Sequence, residues 1–136
     1  MATLLVSDAI FLEHLVPEGH PERPDRLRAI ADALSDDKFA GLKREQAPLA
    51  DLAAIERLHP KTYVDALHAA SPARDLAFLD PDTVMSPGTW NAALRAAGAA
   101  VEAVDQVMAG TVKNAFCAVR PPGHHAEIAR PMGFCL

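Results

Sequence analysis

Two adjacent histidines lie on a Pro-Gly turn in RPPGHHAEIARPMGFCL, residues 120–136, and a Gly-Phe-Cys step follows eight residues later. Neighbouring side chains of a strand face opposite sides, but a tight turn can aim both imidazoles into one cavity. Pro121, Pro122 and Gly123 set such a turn, because proline fixes its backbone angle and glycine permits unusual ones. Two close imidazoles resist double protonation, so at neutral pH at least one stays a base. That suits moving a proton to and from a water or a leaving amine. The plainer alternative makes His124 and His125 polar loop residues bonded to backbone.

Other chemistries find less support. A zinc site needs three or four donors at suitable spacing, and His14, His20, His59 and His68 form no HExxH or finger-like pattern with the cysteines. No metal site is therefore expected from these residues alone. Cys117 reads as core and Cys135 as a small wall residue; a thiol nucleophile at Cys135 would lack anything to orient it. There is no GxSxG elbow and no Walker A loop.

The elements around the turn follow from periodicity. TLLVS (3–7) and AFCAV (115–119) are short apolar runs suited to buried parallel strands. The proline-rich stretch 11–24 reads as loop, with Pro24 opening a helix that carries Leu27, Ile30, Ala31 and Leu34 on one face. Residues 51–71 read as two short helices broken at His59-Pro60. FLDPDTVMSPGTW (78–90) reads as a polar loop. A long helix follows over about 87–109, with Ser86 as its N-cap and Pro87 in its first turn. Its expected core-facing stripe is Trp90, Leu94, Ala97, Val101, Val104 and Met108, and Gly110 ends it. Strand, helices, long helix and strand in that order predict an α/β domain with a parallel sheet. Ligands of such sheets gather at the carboxyl ends of the strands, where Asp8 and the segment from Arg120 to Gly133 are both expected.

At 136 residues the chain has the length of one ordinary domain, with half its residues hydrophobic and 23% charged. A net charge of −5 leaves no basic surplus for a general nucleic-acid binder, though it admits a cationic substrate. Two cysteines make no disulfide framework. The N-terminal stretch lacks the basic start of a signal peptide, and no apolar run has the length of a membrane span. These features predict a cytoplasmic protein with free thiols, bound to neither membrane nor nucleic acid.

RPPGHHAE…MGFC resembles the histone deacetylase superfamily, in particular its bacterial class II-like members and their acetylpolyamine and acetoin-utilisation relatives. GHPERPDRLRAI (19–30) is similar to the family's N-terminal signature, and LDPDTVMSPGTWNAALRAAGAAVEAV (79–104) to the segment leading to a long helix. The resemblance covers essentially the whole chain in the right order. It implies an arginase-like α/β fold with a central parallel sheet, and zinc-dependent hydrolysis of an acetyl-amide on lysine or a polyamine. By motif position, His125 would be the principal general base and acid and His124 its electrostatic partner. Gly133 and Phe134 would line the narrow acyl channel, Arg23 an inner acetate cavity, and Asp82 the rim. Arg23 could equally bond carbonyls near a helix start, and Phe134 could be ordinary core.

The family's zinc ligands lie downstream of the Gly-Phe-Cys step, as do the carboxylates that orient the histidines and a transition-state tyrosine. The resemblance thus makes residues 1–136 the N-terminal portion of a deacetylase-like domain, incomplete at its C-terminus and inactive alone. Two other readings remain: a binding or assembly module that pairs with a complementary chain or a second copy, and an enzyme using both histidines without zinc. A sheet cut after its early strands exposes edges and apolar surface, so the isolated chain is expected to be oligomeric, partly disordered or aggregation-prone.

Overall fold

The computed structural model describes residues 2–136. Three parallel strands form its sheet: β1 (Thr3–Ser7) at the centre, β2 (Lys43–Gln46) on one side and β5 (Asn114–Cys117) on the other. Leu4 is in register with Lys43 and Ala115, and Val6 with Glu45 and Cys117. β1 alternates as the pleat requires. Leu4 and Val6 point into a core shared with Phe11, Ala47, Ala92, Ala99 and Val112, while Leu5 faces the opposite side of the sheet. The helices are α1 (Pro24–Ala33), α2 (Leu52–Glu56), α3 (Lys61–Ala70) and α4 (Thr89–Met108). A separate antiparallel hairpin pairs β3 (Ala77–Asp80) with β4 (Thr83–Met85).

The first strand, the helix opening at Pro24, the break at His59-Pro60 and the helix end at Gly110 fall where periodicity and turn chemistry put them. Gly110 ends α4 at φ +72°, a conformation only glycine adopts freely. β5 begins one residue earlier than AFCAV and ends at Cys117, so Ala118 and Val119 already lead into the site loop.

The sequence reading and the structure differ in four places. Residues 78–90 are not a continuous loop: Thr83, Val84 and Met85 form a buried strand, paired with Ala77–Asp80 in the hairpin. Ser86 does not cap α4, which starts at Thr89. Ser86 is instead the buried corner of a tight turn, where its N–H donates to Thr89 Oγ1 at 2.7 Å and its hydroxyl donates to the Glu13 carbonyl at 2.8 Å. The strand Lys43–Gln46 carries no apolar alternation; it forms because β1 needs a backbone partner, and its side chains stay near the surface as suits an edge.

The fourth correction concerns α4. Its buried face is Ala92, Gly98, Ala99 and Ala103, not the stripe of larger residues. Val104 is 61% and Met108 80% exposed, and Trp90 is half-buried with its ring stacked on His68 at 4.4 Å. Small residues let the helix lie close to β1, β5 and the segment 47–50. That segment is tied to α4 by Ala50 N–H donating to Leu94 O at 3.0 Å and by Arg95 donating to the Ala47 carbonyl. Close approach, not side-chain size, selects the core-facing side here.

Candidate active site

Because β1 and β5 run parallel, the loops after Ser7 and Cys117 leave the same sheet edge. The second becomes the histidine turn. Ala126 N–H donates to Gly123 O at 3.2 Å, closing a turn that places the two imidazoles 4.2 Å apart between centroids and tilted by 53°. Both rings are solvent-exposed. The plainer reading, backbone-bonded loop histidines, finds no side-chain hydrogen bond from either ring among the described residues.

Gly133 lies against the second imidazole. A Cβ built on it would fall 3.1 Å from His125 Cβ and 3.3 Å from two ring carbons, and its φ of +59° already disfavours any side chain. The Gly133 backbone is therefore a flat wall for His125. Phe134 follows at φ +71°, held by its N–H donating to Thr83 Oγ1 at 3.2 Å. Its ring meets His20 edge-on at 4.5 Å. His20 accepts the Glu22 N–H at Nδ1 (3.1 Å), and its Nε2 reaches the Asp82 carbonyl at 3.4 Å. Phe134, His20 and Asp82 thus share one groove with Phe78 and Val84, which is how the hairpin enters the site. Cys135 is completely buried behind that wall.

Arg23 is the residue before Pro24, in extended conformation, with its side chain half in solvent and facing Asp25 at 4.0 Å. Arg26, in the first turn of α1, lies at the mouth of the cavity that Gly123 and His124 line. Both side chains stand more than half in solvent, at 54% for Arg23 and 60% for Arg26. Tyr63 borders the same cavity; burial pushes its hydroxyl pKa up.

Sequence reasoning missed a buried polar cluster beneath the turn. Arg120, 1% exposed, donates from Nε and Nη2 to the two carboxylate oxygens of Glu22 at 2.6 and 2.8 Å, and from Nη1 to the Phe11 carbonyl at 2.7 Å. His14 Nε2 stands 3.6 Å from Glu22 Oε2, and its Nδ1 lies 2.7 Å from Thr89 Oγ1. Thr89 Oγ1 also accepts from Ser86 N–H, so one hydroxyl joins that tight turn to His14. Burial, with the Arg120 charge second, lowers the His14 pKa to about 4; the Glu22 carboxylate opposes this in part. His14 is neutral at pH 7. The available signal was chemical: a carboxylate and a guanidinium inside rigid proline loops require partners if buried.

Residues 20–136 match the histone deacetylase domain. This chain belongs to the histone deacetylase family. It is 38% identical over 124 residues to Histone deacetylase 15 of Arabidopsis thaliana, an alignment covering 88% of this chain and 22% of that protein. It is 36% identical over 119 residues to the Histone deacetylase-like amidohydrolase of Pseudomonas aeruginosa, covering 87% and 31%. It superposes on the crystal structure of the HDA15 HD domain with a TM-score of 0.93 at 34% identity, covering 100% of this chain and 40% of that one. The chain spans less than a third of the length of these two curated relatives.

The fold of this histone deacetylase family chain is α/β of arginase-like type, with a parallel sheet flanked by helices. The family is generally zinc-dependent. Among the described residues no group of three or more His, Cys, Asp and Glu side chains is placed to hold a metal ion. The two imidazoles of the turn alone do not make the three- or four-donor set that zinc takes, so the residues present do not fit the ion. No helix among the described residues is long and apolar enough to cross a membrane.

Proposed function

We propose that residues 1–136 are the N-terminal portion of a zinc-dependent deacetylase domain, supplying the general base and part of the acyl channel for hydrolysis of an acetyl-amide to acetate and a free amine. The observation that carries this reading is the pair of imidazoles 4.2 Å apart on a fixed turn, with the Gly133 backbone packed against His125. His125 takes a proton from the attacking water and returns it to the leaving amine, with His124 beside it as its electrostatic partner. The half-buried ring of Phe134 and the flat backbone of Gly133 flank the methylene stem of an acetyl-lysine or acetylated polyamine, with Arg23 assigned to the inner acetate cavity by motif position and Arg26 bordering the cavity beside His124. Asp82 stands at the rim. The metal donors come from residues outside this set.

The test joins residues 1–136 to the portion of the Pseudomonas aeruginosa relative that follows its matched segment, and assays acetyl-lysine amide and acetylspermidine hydrolysis. Zinc-dependent turnover is expected, and His125→Ala is expected to lower kcat/KM by roughly 10²–10⁴-fold at unchanged zinc content. A folded, zinc-loaded His125→Ala chimera with full turnover would overturn the role of His125. Turnover by the 136-residue chain alone, lost in His125→Ala, would overturn the assignment of the metal donors.

An assembly role has its own support in the exposed Val101, Val104 and Met108 of α4 and Phe116 of β5. Apolar surface of this kind favours pairing with a second copy or a complementary portion of the domain. Light scattering of the isolated chain is expected to give a mass above that of a monomer. A monodisperse monomer with one cooperative melt rules out self-association.

A further inference from the structure

The signature GHPERP contributes more to this molecule than an arginine near a cavity. Its three residues His20, Pro21 and Glu22 touch both halves of the candidate site. On one side the His20 ring meets Phe134 edge-on at 4.5 Å. On the other, Glu22 holds the guanidinium of Arg120, 98 residues away in sequence, through two hydrogen bonds in fork geometry.

Arg120 is the last residue before Pro121, Pro122 and Gly123, and the histidines follow at once. Two prolines leave little backbone freedom between the guanidinium's residue and His124. A displacement of the Arg120 backbone is thus passed to the imidazoles instead of being absorbed. The third guanidinium bond, to the Phe11 carbonyl, ties the same residue to the loop that leaves β1. The carboxylate of Glu22 is itself buried, with His14 Nε2 at 3.6 Å and Arg26 Nη1 at 3.7 Å as its remaining neighbours.

We propose that Glu22 is a positioning residue for the reaction, acting through Arg120 to hold the His124–His125 turn against Gly133, while His20 on the same segment holds the Phe134 wall. The proposal rests on the hydrolytic reading of the histidines but concerns their placement. Glu22 touches no reacting atom. Its carboxylate fixes where the base stands relative to the wall, and a displacement of about an ångström at such a base is enough to cost a large part of its rate.

The test uses the 136-residue chain without substrate or metal, labelled with ¹³C and ¹⁵N. The imidazole resonances of His124 and His125 are assigned through His124→Gln and His125→Gln, and the Overhauser cross-peak between the His125 ring and Gly133 Hα is measured. In Glu22→Gln, which keeps the side-chain shape and removes the charge, that cross-peak is expected to fall below half its original intensity. The His124 and His125 shifts are expected to move, and those of His68, whose ring is held by stacking on Trp90, to stay. A purely structural role would lower the melting temperature and leave the folded-state signals of all three histidines in place.

Glu22→Gln can fail to fold because it leaves the Arg120 charge buried without a counter-charge. The double variant Glu22→Leu/Arg120→Met removes both charges together and is measured in the same way. Loss of the His125–Gly133 cross-peak in a cooperatively melting double variant supports positioning by the pair. An unchanged cross-peak and unchanged shifts in either folded variant overturn it. No turnover is read in this experiment, so its failure is separate from that of the hydrolytic assignment, which rests on the His125→Ala assay.

Discussion

Gly98→Ala is expected to lower the unfolding free energy by about 3 kcal/mol, a large loss for the addition of one methyl group. Alanine is ordinarily the better helix former, by about 1 kcal/mol over glycine, so propensity alone predicts the opposite sign. Packing decides the outcome. A Cβ at Gly98 would collide with the Pro48 carbonyl oxygen and fall 2.8 Å from Ala50 N and 2.9 Å from the Leu49 carbonyl carbon. All three are backbone atoms, and the segment that carries them is pinned to α4 by the Ala50–Leu94 bond and by Arg95. Relief requires lifting the helix off the sheet, which opens the contact of Ala99 with Leu4 and Val6. Gly41 is the control: nothing lies within 4 Å of a Cβ there, so Gly41→Ala is expected within about 0.5 kcal/mol of the parent. Urea unfolding followed by circular dichroism measures both. A Gly98→Ala chain as stable as the Gly41→Ala chain would mean that α4 does not sit on residues 48–50.

Gly98 also shows why part of the fold was hidden in the sequence. Periodicity located α4 to within two residues of its start, because the apolar pattern is long and Gly110 ends it clearly. Periodicity named the wrong side as the core-facing one. The helix presents large apolar residues on one face and small ones on another, and burial usually favours the larger. Here the sheet and the 47–50 segment come too close for Val or Leu, so Ala and Gly take the core. β2 was illegible for a different reason. KREQ buries almost no side chain, and its place is set by hydrogen bonds to β1, which leave no trace in side-chain type. The hairpin over 77–85 was obscured by Asp80, Pro81 and Asp82, loop residues that turned out to form its tight connection.

Within the site, legibility followed local chemistry. His124, His125, Gly133 and Phe134 stand within eleven residues of one another, and the structure brings Gly133 onto His125 and leaves Phe134 in an open groove. Asp82 reaches that groove through the hairpin turn. Arg23 and Arg26 stand three residues apart at the start of α1, both largely in solvent, with Arg26 bordering the cavity that Gly123 and His124 line. The Glu22–Arg120 pair joins loops 98 residues apart, and no local pattern could have paired them. Each nevertheless sits beside a proline in a short motif, where a buried charge has little freedom to find water. A charged residue locked between prolines is the sequence sign of such a pair.

The same cluster sets the response to acid. His14 carries a folded-state pKa of about 4 against an ordinary 6.5, chiefly through burial and secondarily through the Arg120 charge. The sign follows from where the proton binds. Between these two values the unfolded chain takes up a proton at residue 14 and the folded chain does not, so falling pH favours unfolding. The His14 contribution is complete above about pH 6.5. It is lost at about 1.4 kcal/mol per pH unit on the way down, and levels off below pH 4 after a total loss of about 3 kcal/mol. His14→Gln removes the titration and keeps a side chain able to bond Thr89 and face Glu22. Urea midpoints of the two chains are expected to converge, or to cross, as the pH falls from 7 to 4, with the variant gaining about 3 kcal/mol relative to the parent over that span. Groups remote from residue 14 contribute equally to both chains and drop out of the difference. Parallel stability curves would place His14 in contact with water or give it a proton in the folded state. Either result would contradict the enclosure of His14 between Thr89 and Glu22, and with it the account of how the Arg120 anchor is enclosed.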